Sequence, residues 1–218
     1  MFETNDEMII EKMYNSLNDS VKHQIANVIQ TACIISQNSL NDATALGIPQ
    51  SKYFRLACDL SFCIDSVFSA YIDSNNMSGL TYGEKKTGHG RPVIRYEIID
   101  GSIAFHIKKE RNPRKLPSAA KFRCKEMADN QQLFLKFPDL PQEEAINMVV
   151  TFNHKHFDLQ YVQIGVSNYD YTGWLKRFNL MPYIQPELVE YMQKEYEPEV
   201  REELIEKVNK QYKLEMRK

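Results

Sequence analysis

Long hydrophobic runs are missing from this sequence, and their absence limits where the protein can reside. No uninterrupted apolar stretch approaches the roughly 20 residues that a helix needs to cross a bilayer. The amino terminus, MFETNDEMII, is acidic, whereas a secretory signal begins with basic residues. No internal repeat or low-complexity linker is present. We therefore expect a cytoplasmic protein without membrane contacts.

Motifs for covalent catalysis and for nucleotide binding are also missing. The sequence has no G-x-S-x-G elbow, and no cysteine has a histidine placed nearby in sequence. The basic stretch YGEKKTGHGRP, residues 82–92, matches neither G-x-G-x-x-G nor a Walker loop, because His89 follows Gly88 where a Walker loop has lysine. We interpret it as a solvated loop that leads into a strand, although its amides with Lys85 or Lys86 would also suit a phosphate contact.

Cysteine pairs with metal-ligand spacing are absent as well. The four cysteines, Cys33, Cys58, Cys63 and Cys124, lie in apolar segments and form no C-x-x-C pair. Cys58 and Cys63 are five residues apart on a predicted helix and point in different directions, which argues against a zinc site made of cysteines alone. We therefore interpret the four cysteines as buried, reduced thiols.

The sequence does contain a strong segregation of charge. Residues 85–125 hold 12 basic and 3 acidic side chains, a sum of +9, whereas residues 1–84 sum to −6 and residues 126–218 to −5. A basic block between two acidic flanks is the clearest departure from an ordinary soluble protein, and it indicates a surface for an acidic partner.

Helical periodicity dominates both ends of the chain. The capping box TNDE, residues 4–7, predicts a first helix, and apolar residues over 21–35 and 49–72 predict two more, with 37–48 as a connection. The charged segment 186–218 carries a thin apolar stripe, and Pro198 is predicted to divide it into two helices. We expect this stripe to dock on the body of the protein; pairing with another chain as a homodimer is the alternative.

Strand periodicity begins at Arg91. Two alternating runs flank Asp100-Gly101, a dipeptide preferred in two-residue hairpin turns. That turn would pair Ile98 with Ile103, Tyr96 with Phe105 and Ile94 with Ile107 on one apolar face, and would set Glu97 beside Ala104. The opposite face then receives Arg95, His106 and Lys108.

Further strands and a return to helix are predicted downstream. KFRCK at 121–125 alternates as a strand would, LFLKF at 133–137 is a second short candidate, and residues 147–166 are predicted to form a second hairpin that turns near 154–157. From about Tyr171 the chain is predicted to return to helix, including Trp174, Leu175 and Phe178. The fold class predicted is α+β, with an N-terminal helical layer packed on a mainly antiparallel sheet of four to six strands and C-terminal helices. We expect a single domain over residues 1–218, with a helical part at 1–75, a β-rich part at 91–167 and helices at 171–218.

The leading functional hypothesis follows from the basic block. If the first hairpin and KFRCK share a sheet, their basic residues form one exposed face, with basic loops around it. Such a face attracts nucleic acid or another polyanion through phosphate contacts, and without base specificity because the hairpin aromatics point the other way. No cofactor is predicted. The residues concerned are Lys85, Lys86, Arg91, Arg95, His106, Lys108, Arg111, Arg114, Lys115, Lys121, Arg123 and Lys125.

Two enzymatic patterns support an alternative, a metal-dependent phosphodiester hydrolase. HKHFD, with His154, His156 and Asp158 in alternation, resembles over five residues the H-x-H-x-D core of the metallo-β-lactamase superfamily, but Leu159 replaces the histidine that follows that core, and no later histidine exists. Pro138-Asp139 with Asp158-Leu159-Gln160 is similar to the PD-(D/E)xK nucleases, with Gln160 at the lysine position. This alternative requires a divalent metal at Asp139 and Asp158. A third hypothesis is an interaction or inhibitor protein that binds an acidic protein surface.

Overall fold

The described residues of the protein form five helices and a six-stranded sheet. The computed structural model describes residues 5–45, 60–74, 79–86, 92–98, 101–136 and 145–215. The helices are α1 (Asn5–Ser16), α2 (Asp19–Ala45), α3 (Leu60–Asp73), α4 (Lys121–Lys136) and α5 (Pro186–Glu215), with a 3-10 turn at Met181–Tyr183. The strands are β1 (Leu80–Lys86), β2 (Pro92–Ile98), β3 (Ile103–Lys109), β4 (Ile146–Lys155), β5 (Asp158–Ser167) and β6 (Trp174–Asn179).

The sheet joins two antiparallel halves through one parallel pair. Its strand order is β1-β2-β3-β4-β5-β6. Every neighbouring pair is antiparallel except β3 with β4, and a parallel pair requires a crossover, which here contains α4. The predicted α+β class with a mainly antiparallel sheet is therefore confirmed.

A short turn sets the register of each predicted hairpin. In the first, Tyr96 pairs with Phe105 and Glu97 with Ala104, as predicted, and Gly101 adopts a φ of 71° beside the turn. In the second, Lys155 pairs with Asp158 around a two-residue turn. Its central residues have φ of 51° and 66°, the left-handed pair that a type I′ turn requires.

Helices α1, α2 and α3 pack on the apolar side of the sheet, and α5 packs on α2 and α3. Phe68 of α3 packs against Tyr96 and Phe105, with ring centroids 4.6 and 6.5 Å away. One apolar cluster contains residues from all five helices and from β1 to β5. The single-domain assignment itself stays a prediction.

Helix α5 docks on the protein through the stripe that the sequence predicts. Met192, Tyr196, Val200 and Leu204 are buried in the core cluster at four-residue spacing. The predicted break at Pro198 is wrong, because α5 continues through it. A proline inside a helix costs about 3 kcal/mol, and the buried stripe on both sides of Pro198 offsets that cost.

Three other predicted boundaries are corrected. Helix α2 runs on to Ala45, through most of the predicted connection, and the part of the third predicted helix before Leu60 lies outside the described residues. KFRCK and residues 133–136 belong to α4 and are not strands. The segment with Trp174, Leu175 and Phe178 is strand β6 and not a helix, since it pairs with β5 from Ser167 to Gln163. Among the described residues, no helix combines the length and apolar character that crossing a membrane requires.

Candidate functional site

Helix α4 lies on the face of the sheet opposite the apolar core. It contributes Glu126, which is 3% exposed. One carboxylate oxygen of Glu126 lies 3.3 Å from Nη1 of Arg95 on β2, and the other lies 3.0 Å from Nε2 of His106 on β3. Nε of Arg95 also donates to Glu97 at 2.7 Å. The helix thus places a buried carboxylate over two basic side chains of the sheet.

Further hydrogen bonds fix α4 in this position. Nδ1 of His106 lies 3.0 Å from the carbonyl oxygen of Ile94, and it carries the proton because a carbonyl only accepts. Asn130 of α4 accepts from the backbone amide of Asn147 and donates to its carbonyl, both at 2.8 Å. The side chain of Asn130 therefore pairs with the start of β4 much as a neighbouring strand would.

The predicted exposed basic face is consequently wrong in its geometry. His106 and Arg123 are 3% and 5% exposed, and Arg95 and Lys108 are half-buried. The physical reason is that KFRCK is helical and crosses the sheet instead of extending it. The face is covered by a helix of the same chain that carries its own acidic residue.

Three exposed basic residues lie in the segment before α4. We call residues 110–120 the basic loop; its side chains Arg111, Arg114 and Lys115 are all exposed. The single acidic residue of the loop, Glu110, accepts from the backbone amide of Asn112 at 3.0 Å. Within the part of the chain that the structure describes, none of the three basic side chains forms an ion pair.

Strands β5 and β6 hold the basic loop in place through its carbonyl groups. Gln163 donates to the carbonyl of Pro113 at 2.8 Å, and Arg177 donates to the same oxygen. Nε1 of Trp174 donates to the carbonyl of Lys115 at 3.3 Å, and the Tyr161 hydroxyl donates to that of Glu110. The side chains of the basic loop therefore project from an anchored backbone.

The amino-terminal turn of α4 continues this basic surface. Lys121 and Lys125 are exposed and, like the loop residues, form no ion pair with a described residue. Between them, Arg123 is buried, donates from Nη2 to the Ser118 carbonyl and lies 5.0 Å from the Phe122 ring centroid. The first turn of α4 has no acidic residue.

Two buried polar atoms beside this turn have no hydrogen-bond partner. They are Nε of Arg123 and the hydroxyl of Tyr171, which is 8% exposed. Burial raises the pKa of Tyr171, and the positive charge of Arg123 opposes that rise. The two groups are therefore close enough to interact electrostatically.

The remaining predicted basic residues are only partly described. Lys85 and Lys86 lie in β1, but their side chains are outside the described part of the structure, as is the whole of Arg91. Their place in an anion-binding surface stays a prediction.

HKHFD does not form a metal centre. Among the described residues, no three His, Cys, Asp or Glu side chains come together as a metal-binding group. His154 and Asp158 are on separate strands, His156 is in the turn, and the Lys109 ammonium lies 2.7 Å from Nε2 of His154. Burial, followed by Lys109 and His156, lowers the pKa of His154 below its ordinary 6.5.

The nuclease pattern has one of its two carboxylates in the described structure. Asp158 is exposed and accepts from Gln160 at 2.9 Å, while Asp139 lies outside the described residues. The predicted role of this pair stays a prediction.

Cys33, Cys63 and Cys124 are not in disulfide bonds, and Cys58 is outside the described residues. Cys33 and Cys63 are buried, and burial raises the pKa of Cys33 to about 12. This agrees with the predicted buried, reduced state for these two residues. Cys124 on α4 is half-buried.

Comparisons with known proteins add no family assignment. Family models, curated sequences and solved structures all gave no match to this chain. The chemistry of the residues is therefore the basis for a functional proposal.

The sequence contains a signal for α4 that hydrophobic periodicity does not detect. Over residues 121–130, where side chains are described, the buried positions are Arg123, Glu126, Met127 and Asn130, spaced by three and four residues. Only one of them is apolar, so the helical period is carried by polar side chains. Tyr171 and Arg177 contact the basic surface but lie outside residues 85–125. No pattern in the sequence identified them.

Proposed function

We propose that this protein binds nucleic acid through the basic loop and the first turns of α4, without reading base sequence. The observation that carries the proposal is the set of exposed basic side chains that form no ion pair within the described structure. It comprises Arg111, Arg114, Lys115, Lys121 and Lys125.

Uncompensated charges on an anchored backbone favour binding to a polyanion. The backbone of the loop is already held by Gln163 and Trp174, so less conformational entropy is lost on binding. Release of counterions from the nucleic acid adds a favourable term that does not depend on sequence.

The composition of the loop argues for phosphate contacts and against base stacking. The loop sequence, ERNPRKLPSAA, contains no aromatic residue. Single-strand binding usually combines a basic groove with aromatic platforms. We therefore infer that the preferred ligand is a duplex, contacted along its phosphate backbone.

The first prediction tests this surface by charge reversal. We expect wild-type protein to be retained on immobilised duplex DNA at low salt, and expect Arg114→Glu with Lys115→Glu to reduce the affinity at least tenfold. The matched control is Lys155→Glu with Lys194→Glu, which makes the same change in net charge at exposed lysines outside the loop. Circular dichroism verifies that all three proteins are folded.

Equal losses in both double variants would contradict the proposal, because they would show that net charge and not this surface determines retention. No retention of the wild type on duplex DNA at low salt would contradict it as well. Retention on an immobilised acidic protein in the absence of DNA binding would favour the interaction-protein hypothesis.

A further inference from the structure

Arg123 is a buried cation without an ion-pair partner among the described residues. It is 5% exposed, yet no carboxylate of a described residue lies within ion-pair distance. Its interactions are a hydrogen bond to the Ser118 carbonyl and contact with the Phe122 ring. Burial of an unpaired charge is costly, so a counter-charge from outside the chain would stabilise this arrangement.

The guanidinium of Arg123 is directed at the amino terminus of α4. Ser118, which accepts from Nη2, precedes the helix by three residues, so the side chain reaches back along the helix towards its start. Nε of Arg123 is buried without a hydrogen-bond partner, and so is the hydroxyl of Tyr171, which lies close enough to Arg123 to feel its charge. An oxyanion that reached this position would be an acceptor for both donors.

The amino terminus of α4 also lacks a side-chain cap. The amide of Cys124 donates to the carbonyl of Ala120 at 3.0 Å, which makes Ala120 the capping residue. Alanine has no oxygen to accept from the amides of the first turn, and those amides form the positive end of the helix dipole. Uncapped amides beside a guanidinium constitute a site for an oxyanion.

We propose that the amino terminus of α4 is a phosphate-binding site. It is formed by the first-turn amides, Arg123 and the flanking Lys121, and its occupant is a phosphodiester of the nucleic acid backbone. The identity of the occupant rests on the function proposed above; the affinity of the site for a phosphate group does not. The buried, unpartnered hydroxyl of Tyr171 lies beside Arg123 and is a second donor available to the site.

The second prediction uses Ala120→Asp to place a side-chain carboxylate in the proposed phosphate site. An aspartate at the capping position accepts from the first-turn amides and presents a negative charge where the phosphate would bind. We expect inorganic phosphate to raise the thermal midpoint of the wild type in a saturable manner, relative to chloride at equal ionic strength. Ala120→Asp should raise the midpoint in chloride and weaken phosphate binding at least tenfold, measured by ³¹P NMR titration.

Two further variants complete the phosphate experiment. Ala119→Asp adds the same charge one residue earlier, outside the capping position, and should retain most of the phosphate response. Arg123→Gln removes the guanidinium and should abolish the phosphate response. If Arg123→Gln fails to fold, Ala120→Asp still tests the site. A wild type without a saturable phosphate response, or an equal response in Ala120→Asp, overturns the site.

Duplex DNA distinguishes this site from the proposed function. If Ala120→Asp lowers affinity for a duplex of about two helical turns at least tenfold more than Ala119→Asp does, the occupant is a backbone phosphate. If both variants bind the duplex equally while only Ala120→Asp loses inorganic phosphate, the assignment to the nucleic acid backbone is overturned. If the protein binds inorganic phosphate but no duplex, the phosphate site is supported and the proposed function is contradicted.

Discussion

Gly165 occupies a position in β5 where no larger residue fits. A Cβ atom built there would lie 2.5 Å from the carbonyl oxygen of Lys176 and 2.9 Å from Cε3 of Trp174. Both contacts are closer than real Cβ atoms approach, and one is to backbone that cannot rotate away. The close approach of β6 to β5 therefore depends on this glycine.

The third prediction is that Gly165→Ala destabilises the protein by about 1–3 kcal/mol, the usual cost of overpacking a well-packed position. Urea denaturation measures the change in free energy of unfolding. Because Trp174 and Arg177 hold the basic loop, the variant should also bind duplex DNA more weakly.

Gly83→Ala is the matched control for this substitution. It is exposed in β1, and a Cβ atom there meets nothing within 4 Å. Similar destabilisation by the two variants would refute the steric explanation.

Individual residues also show what the sequence could not reveal. The pairing of Tyr96 with Phe105 follows from the Asp-Gly turn, because a two-residue turn at that position fixes the register of the two strands. The burial of His106 does not follow from the hairpin, since it depends on α4 covering the other face. A polar side chain on a strand is buried only when another element supplies its partner.

At the scale of the element, α4 is a helix attached by polar contacts. Glu126 contacts Arg95 and His106, and Asn130 bonds to the backbone of Asn147. Breaking any one of these contacts is costly, because it leaves a buried polar group without its hydrogen-bond partner.

The fourth prediction concerns the buried carboxylate of α4. Glu126→Gln keeps the shape of the side chain but removes its charge, and we expect a loss of about 2 kcal/mol in unfolding free energy, typical of hydrogen bonds to charged groups. Urea denaturation monitored by circular dichroism measures it. Glu190→Gln, which alters an exposed pair with Lys194, should leave the denaturation midpoint unchanged. A midpoint equally unchanged in Glu126→Gln would show that the charge does not hold α4.

Elements with a local signal were predictable, and those defined by tertiary partners were not. The first hairpin follows from its Asp-Gly turn, the second from its strand pattern, and α5 from its apolar stripe. KFRCK alternates over five residues, too few to separate a strand from a helix whose buried positions are polar. Strand β6 is set by its pairing with β5, and aromatic residues alone do not distinguish that state from a helix.

At the scale of the whole molecule, the basic block of the sequence is divided into two structurally different parts. His106 and Arg123 are buried and Arg95 is half-buried, whereas the basic loop and the exposed lysines of α4 lie on the surface. The candidate surface is therefore smaller than the sum of +9 over residues 85–125 suggests. Charge summed along a sequence cannot separate these parts.

The fifth prediction follows from the number of exposed cations. Affinity for duplex DNA should fall linearly with salt on a double-logarithmic plot, with a slope of about −0.9 for each phosphate contacted. Arg111→Gln with Arg114→Gln and Lys115→Gln should reduce the magnitude of that slope by up to about 2.7. Fluorescence anisotropy across a salt series measures both slopes. An unchanged slope in the triple variant would show that the basic loop makes no phosphate contacts.

Among the described strands, β1 and β6 lie at the edges of the sheet. An open edge offers unpaired amides and carbonyls to a second copy of the sheet, which is a route to aggregation. Each edge strand carries two adjacent cations in its sequence, Lys85 and Lys86 in β1 and Lys176 and Arg177 in β6. Bringing two such edges together would oppose like charges, so the composition of the edge strands helps the protein to remain dispersed at high concentration.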